Sequence, residues 1–104
     1  MSGPTAAGTF ATANTAIGVG SQVSDVCVIN TGRTSMRLTI AGADASNTVR
    51  TQKRTSPGGA FVDQTTYNTN QSATSIPVVA GEEWRLITVA MQPIREIRYM
   101  LDAQ

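Results

Sequence analysis

The stretch EWRLITVA, Glu83–Ala90, decides the fold class of this 104-residue chain. Its side chains alternate, so that Trp84, Leu86 and Thr88 would lie on one face of a strand and Arg85 on the other. Successive side chains of a β-strand point to opposite sides of its sheet, and this period of two predicts a strand with one buried face. Because no part of the sequence shows a sustained period of 3.6 residues, helices are not predicted.

Outward from this strand, the chain divides into short runs separated by turn-forming residues. Each run is either rich in Val and Ile or alternates between apolar and polar residues. The predicted strands are residues 15–19, 22–29, 35–40, 48–55, 60–63, 75–79, 83–90 and 95–101. A long polar connection is predicted over residues 64–74. Turns about every eight to twelve residues indicate an all-β fold, an antiparallel β-sandwich of about seven or eight strands, Ig-like or jelly-roll-like.

The first 14 residues differ in composition from the rest. After Met1 they are Gly, Pro, Ala, Ser, Thr and Asn, with one large side chain, Phe10. We therefore predict an extended N-terminal arm over residues 1–14 with little structure of its own, and a single β-sandwich domain over residues 15–104. The arm is expected to pack against another subunit, with Phe10 as its apolar anchor. Its predicted contact residues are Thr5, Thr9, Phe10 and Thr12.

The composition excludes several classes of catalytic site. The chain has no histidine, which excludes Ser-His-Asp and Cys-His catalysis and histidine-ligated zinc. Its one cysteine, Cys27, lies in the apolar run VCVI and is predicted to be a buried, unreactive side chain. The neighbouring Glu82 and Glu83 would point to opposite faces of a strand and are expected to be solvated turn acids. No enzymatic activity, cofactor or metal is predicted.

Charge and hydropathy set expectations about partners. The net charge is +1 and Lys53 is the one lysine, so the chain offers no basic field for duplex nucleic acid. No apolar stretch approaches the roughly 20 residues that span a bilayer. The N-terminal residues show neither the basic nor the apolar region of a signal peptide, and synthesis in the cytoplasm is expected. Neither nucleic acid nor membrane is predicted as a partner.

Three groups remain as candidate binding residues. Arg50, Lys53 and Arg54 share one predicted strand; they are either solvated charges that discourage aggregation, or partners for an acidic patch on another subunit. Tyr67, together with Phe10, could form an exposed surface on which a sugar stacks. The oxygen-rich residues 44–47 (DASN) lack the spacing of a calcium loop and suit an Asx turn.

Three segments of the second half together resemble small structural proteins of tailed bacteriophages. Residues 52–63 (QKRTSPGGAFVD) resemble a hairpin common in that family. They are followed, as in that family, by a Thr-rich loop, by AGEEWRL at residues 80–86, and by a last strand containing IRYML at residues 97–101. The resemblance covers residues 47–103.

The resemblance implies a virion structural protein of the capsid decoration, or cement, type. Such proteins are small β domains that bind the outer capsid surface as homo-oligomers, trimers or dimers, and stabilise the shell. The major capsid protein would be the partner and the capsid surface the location. The predicted contact residues are Thr5, Thr9, Phe10, Thr12, Arg50, Arg54 and Tyr67. Two alternatives remain open: a tail or head–tail junction component, and a carbohydrate- or receptor-binding β-sandwich module.

Overall fold

The chain folds into two antiparallel β-sheets packed face to face in a computed structural model, which describes residues 5–11, 22–55, 58–92 and 95–104. The described residues form eight strands: β1 (Thr5–Ala11), β2 (Cys27–Val28), β3 (Ser35–Ala41), β4 (Thr48–Arg54), β5 (Val62–Tyr67), β6 (Gln71–Pro77), β7 (Glu83–Ala90) and β8 (Glu96–Ala103). Within these ranges, sheet A has the order β1-β8-β3-β6 and sheet B the order β2-β7-β4-β5. The prediction of an all-β antiparallel sandwich is confirmed.

The strand pairing is nested. Strand β1 pairs with β8, β2 with β7, β3 with β6, and β4 with β5. Two further pairings, β3 with β8 and β4 with β7, join these pairs into the two sheets. This order is that of a jelly roll, in which a long hairpin of four strands against four is rolled into a sandwich. Of the two kinds of sandwich expected, the jelly roll is the one that forms.

The inner faces of both sheets supply the core. The alternation predicted for β7 is confirmed, because Trp84, Leu86 and Thr88 are all buried. The burial of Cys27 is confirmed as well. Fully burying one large apolar side chain contributes roughly 1.5–3 kcal/mol, so these side chains supply most of the drive for folding. The largest fully buried apolar side chains of the core are Phe10, Ile29, Met36, Leu38, Ile40, Leu86, Met91, Ile97 and Leu101.

The prediction of an N-terminal arm is wrong over Thr5–Ala11. These residues form β1, and every one of them is in register with β8, from Thr5 opposite Asp102 to Ala11 opposite Glu96. By pairing there, β1 forms hydrogen bonds with the main-chain N–H and C=O groups along one side of β8. Without β1 these groups would have only water as a hydrogen-bond partner. The small side chains allow a close fit, since a Cβ at Gly8 would lie 2.8 Å from the Tyr99 hydroxyl oxygen. Residues 1–4 and 12–14 of the predicted arm lie outside the described residues, as does the strand predicted over residues 15–19.

The prediction of a polar connection over residues 64–74 is also wrong. Most of these residues belong to β5 and β6, which pair with β4 and β3. In the described part of the chain both are edge strands, with exposed side chains on both faces. A strand of this kind needs no apolar face, so its sequence carries no alternation to reveal it.

Strand β2 is shorter than the prediction over residues 22–29. It comprises Cys27–Val28, preceded by an isolated bridge between Val23 and Ile87. Between them, the Ser24 hydroxyl oxygen accepts the N–H of Leu86 (2.7 Å), and the Ser24 N–H donates to the Leu86 carbonyl (2.8 Å). A side chain thus replaces a main-chain acceptor, which makes the ladder irregular at this point.

Gly42, directly after β3, is a position where we expect any side chain to be destabilising. Its φ of +102° is left-handed, and a Cβ there would overlap the carbonyl oxygen of Glu96. The strain alone should lower the free energy of unfolding of Gly42→Ala by about 1–3 kcal/mol, and the overlap should add to it. The matched control is Gly32→Ala, because Gly32 has a φ of +90° but nothing within 4 Å of a Cβ. Equal losses in urea unfolding of the two variants would contradict the overlap at Glu96.

Candidate functional site

The predicted contact residues of the N-terminal region do not form a site together. Thr5 and Thr9 are exposed on β1. Phe10 is 2% exposed and stacks on Tyr99 of its own chain, with the ring centroids 4.6 Å apart. Thr12 lies outside the described residues. The prediction that Phe10 anchors a neighbouring subunit is therefore wrong in this structure, because the alternation of β1 turns Phe10 toward the core of its own sandwich.

The basic residues of β4 are paired with acids of the same chain. These residues of β4 form the ion pairs Arg50–Asp63 (3.2 Å), Lys53–Glu82 (3.0 Å) and Arg54–Glu83 (2.6 Å). Asp63 is more than half exposed, so the Arg50 pair is screened by water. The charges considered for a partner's acidic patch, Arg50 and Arg54 among them, are thus compensated within the chain.

Glu82 and Glu83 are 6% and 8% exposed, so the expectation of solvated turn acids is wrong. The reason lies in the register of β4 against β7, which sets Lys53 opposite Trp84 and Arg54 opposite Glu83. A carboxylate can be buried when a cation neutralises it, and both cations here come from about thirty residues earlier in the sequence. Glu83 accepts from Nε (2.9 Å) and Nη2 (2.6 Å) of Arg54 through its Oε1.

The Glu82 carboxylate closes the turn that precedes β7. Its Oε1 accepts from the N–H of Val79 (2.7 Å) and from Nε1 of Trp84 (3.3 Å), and its Oε2 lies 3.0 Å from Lys53 Nζ. Burial by itself raises the pKa of Glu82. The hydrogen bonds from Val79, Lys53 and Trp84, together with the charge of Lys53, outweigh that effect and hold the pKa below its ordinary value of 4.5. Glu82 is therefore ionised at neutral pH.

A cleft of about 280 Å³ opens between the two sheets next to Lys53. It lies on the side where β5 and β6 are the edge strands of the described sheets, and we call it the β5/β6 cleft. Its lining residues are Thr51, Lys53, Gln64, Thr65, Tyr67, Ile76, Pro77 and Trp84. Burial raises the pKa of the Tyr67 phenol, although a hydrogen bond with Thr65 opposes the shift. Tyr67, predicted to be a stacking residue, thus lines a concave site with polar and apolar walls.

A group of exposed apolar side chains lies on the outer side of sheet B, on β7 and on the segment that contains β2. We call it the valine surface; its members are Val23, Val26, Val28, Ile87 and Val89. The four valines are between 36% and 51% exposed, and Ile87, the bridge partner of Val23, is half-buried. This surface is not among the sites predicted from the sequence. The signal for it is that Val26 and Val28 flank Cys27, so that they face outward when Cys27 faces the core.

Next to the valine surface, Phe61 is held against the outer face of sheet B by two guanidinium groups. The Cζ atoms of Arg85 and Arg54 lie 3.9 Å and 4.5 Å from the centroid of its ring. Stacking of this kind contributes about 0.5–1 kcal/mol per cation at an exposed site. Arg85 is itself positioned by Gln52, whose Oε1 accepts from its Nε (2.9 Å). This face therefore presents charged groups beside the valines.

The oxygen-rich residues 44–47 form the Asx turn that was predicted. Oδ1 of Asp44 accepts from the N–H of Ser46 and from Nδ2 of Asn47, both at 2.8 Å. These hydrogen bonds lower the pKa of Asp44. In the described parts of the chain, no three His, Cys, Asp or Glu side chains come together in a group that could hold a metal ion. Nor do those parts contain a helix of the length and hydropathy needed to cross a bilayer.

Comparisons with protein-family models, with curated proteins and with solved structures found no match for this chain. The described residues present two distinctive surfaces, the valine surface and the β5/β6 cleft.

Proposed function

We propose that this protein is a capsid decoration protein of a tailed bacteriophage, a non-enzymatic component that binds the outer surface of the capsid as a homo-oligomer and stabilises the shell. The observation that carries the proposal is the valine surface. Exposed apolar patches on soluble proteins mark sites of protein–protein contact. Four partly exposed valines lie with Ile87 on the outer side of sheet B, and Val23 is paired directly with Ile87.

The surroundings of the valine surface suit a protein partner. An interface combines an apolar centre with a polar rim, and here the guanidinium groups of Arg85 and Arg54, stacked on Phe61, provide a polar rim on one side. A stable interface buries about 800 Å² on each partner, which is more than a few valines supply. Retention on a shell does not depend on one such contact, because each subunit of an oligomer binds at high effective concentration once its neighbours are bound.

Two further considerations support the proposal. The segments at residues 52–63, 80–86 and 97–101 resemble those of phage structural proteins. The jelly roll is also an architecture found in viral capsid proteins, as it is in lectins. The same considerations apply to a tail or head–tail junction component. The two roles differ in copy number, which should be comparable to that of the major capsid protein for a decoration protein.

The test is a substitution within the valine surface. We expect Val23→Glu to abolish co-sedimentation of the purified protein with DNA-filled capsids that lack it, because burying an unpaired carboxylate at an interface is strongly unfavourable. Val62→Glu is the matched control: Val62 is 60% exposed, compared with 51% for Val23, and lies on β5 at the far edge of sheet B. Both variants should fold, since both positions are more than half exposed.

Equal binding of Val23→Glu and Val62→Glu to capsids would contradict the role of the valine surface. Absence of the wild-type chain from density-purified particles would contradict the proposal as a whole. Its presence in only a few copies per particle would instead identify it as a component of the tail or of the head–tail junction.

A second candidate function is the carbohydrate- or receptor-binding module. One observation favours it: Tyr67 lies in the β5/β6 cleft among polar side chains. Lectins also use the jelly-roll architecture.

A further inference from the structure

We infer that the β5/β6 cleft binds a single uncharged sugar ring. The inference does not rest on attachment to a capsid, and it gives the second candidate function a ligand class and named residues. It is carried by the shape of the cleft, by the chemistry of its two walls, and by the way its charge is compensated.

The size of the cleft sets the scale of the ligand. Sites for drug-sized molecules have volumes of roughly 300–1,000 Å³, and the cleft, at about 280 Å³, lies just below that range. One hexose ring fits such a volume, whereas an oligosaccharide would extend beyond it. The position between two edge strands of the described sheets leaves the mouth open to solvent, which allows further rings to continue outside.

The two kinds of wall suit the two kinds of surface of a sugar. Tyr67, Ile76 and Pro77 provide apolar area, against which the C–H face of a pyranose can pack. Gln64 and Lys53 provide hydrogen-bonding groups for the hydroxyls. Gln64 is exposed and its Nε2 makes one hydrogen bond of 3.2 Å, to the Val62 carbonyl, which leaves its Oε1 as an acceptor.

The charge of the cleft favours a neutral ligand over an anion. Lys53 is the charged residue among those that line it, and its ammonium group is paired with the buried Glu82 carboxylate at 3.0 Å. An anionic ligand would have to compete with Glu82 for the ammonium group. A hydroxyl oxygen can instead accept one of the remaining N–H donors of Lys53 while the ion pair stays intact.

An extended peptide strand fits the cleft less well. A strand added between two sheets buries alternate side chains in an apolar groove. Here the walls include Thr51, Thr65 and Gln64, and Thr51 Oγ1 is already engaged with the main chain of Thr65. An apolar side chain inserted there would desolvate polar groups without replacing their hydrogen bonds.

The test uses the single tryptophan as a reporter. The indole N–H of Trp84 gives one peak in a ¹H–¹⁵N spectrum, and its side chain lines the cleft. We expect that peak, and the side-chain amide of Gln64, to shift saturably with at least one of glucose, galactose and N-acetylglucosamine, with a Kd of about 1 mM. Glucuronate is the charged comparator and should bind more weakly than the neutral sugars.

Two variants link the response to the cleft. Gln64→Ala removes an exposed side chain and should weaken binding about three- to tenfold, the effect of one lost hydrogen bond. Thr66→Ala, two residues along the same strand, is the control that should leave binding unchanged. A register shift between Arg50 and Gln52 interrupts the alternation of β5, so Thr66 lies opposite Arg50, accepts from its Nε and does not line the cleft. Val23→Glu should also bind sugar normally. Sugar binding and capsid attachment are therefore tested independently of each other.

Several results would overturn the inference. They are the absence of a saturable shift with any neutral sugar up to about 50 mM, tighter binding of glucuronate than of the neutral sugars, and equal affinity of wild type and Gln64→Ala. The second result would identify an anion site at Lys53 in place of a sugar site.

Discussion

Replacing Phe10 by alanine is expected to lower the free energy of unfolding by about 3–5 kcal/mol, the usual effect of removing a buried phenylalanine. Phe10 is fully buried and stacks on Tyr99, so the substitution leaves a cavity between β1 and the core. The residue also helps to hold the edge strand that it belongs to. Loss of β1 would expose the side of β8 with which β1 pairs.

Urea unfolding at neutral pH measures the effect. Thr9→Ala is the control, because Thr9 is exposed on the same strand, and it should change stability by no more than about 0.5 kcal/mol. Wild-type stability of Phe10→Ala, combined with loss of capsid binding, would contradict the structure and restore the prediction of an arm whose anchor is Phe10. The structure instead predicts that removing residues 1–11 destabilises the whole sandwich.

Replacing Glu82 by alanine is expected to lower the free energy of unfolding by about 2–4 kcal/mol. The substitution leaves three donors without their acceptor: the N–H of Val79, Nε1 of Trp84 and the ammonium group of Lys53. Breaking a buried ion pair by removing one partner typically costs about 3–5 kcal/mol, and the partial exposure of Lys53 reduces the effect here. Asp63→Ala is the matched control, because it breaks the exposed pair with Arg50 and should cost less than about 1 kcal/mol.

The penalty for Glu82→Ala should depend on pH. Because the pKa of Glu82 in the folded protein lies below its ordinary value of 4.5, the ionised carboxylate adds stability above that pH. This contribution is lost as the pH falls from 4.5 through the lower folded-state pKa, where the wild-type carboxylate takes up a proton. The difference between wild type and Glu82→Ala in urea unfolding should therefore be full at pH 7 and shrink as the pH falls below 4.5. A difference that stays constant over this range would show that the charge of Glu82 contributes nothing.

Strands with one buried face could be predicted from the sequence. The alternation of β7 and of β3 records which side chains face the core, so their bounds were predicted to within one residue. The turn at residues 30–32 was also evident, because Gly32 supplies the positive φ that it needs. The edge strands β5 and β6 were not evident, since strands with both faces exposed carry polar sequences without a period.

The candidate sites depended on distant partners, and the sequence alone did not reveal them. Lys53 and Glu82 are 29 positions apart, and it is the register of β4 against β7 that brings them to 3.0 Å. Tyr67 was recognised as a candidate, but its neighbours in the cleft, Ile76 and Trp84, come from two other strands. The valine surface depends on the irregular segment before β2, where an isolated bridge places Val23 beside Ile87 of β7.

The sequence by itself determined that this protein is an all-β sandwich with Cys27, Trp84 and Leu86 in its core, because the period of its side chains is a local property that each strand carries alone. The tertiary structure decided that Thr5–Ala11 is a strand, that Glu82 is a buried ion, and that a cleft opens between β5 and β6. These features depend on which strands become neighbours. A hydrogen bond or an ion pair stabilises the fold only when both of its groups are close together. Folding brings together groups that are far apart along the chain, so neither local sequence shows the interaction.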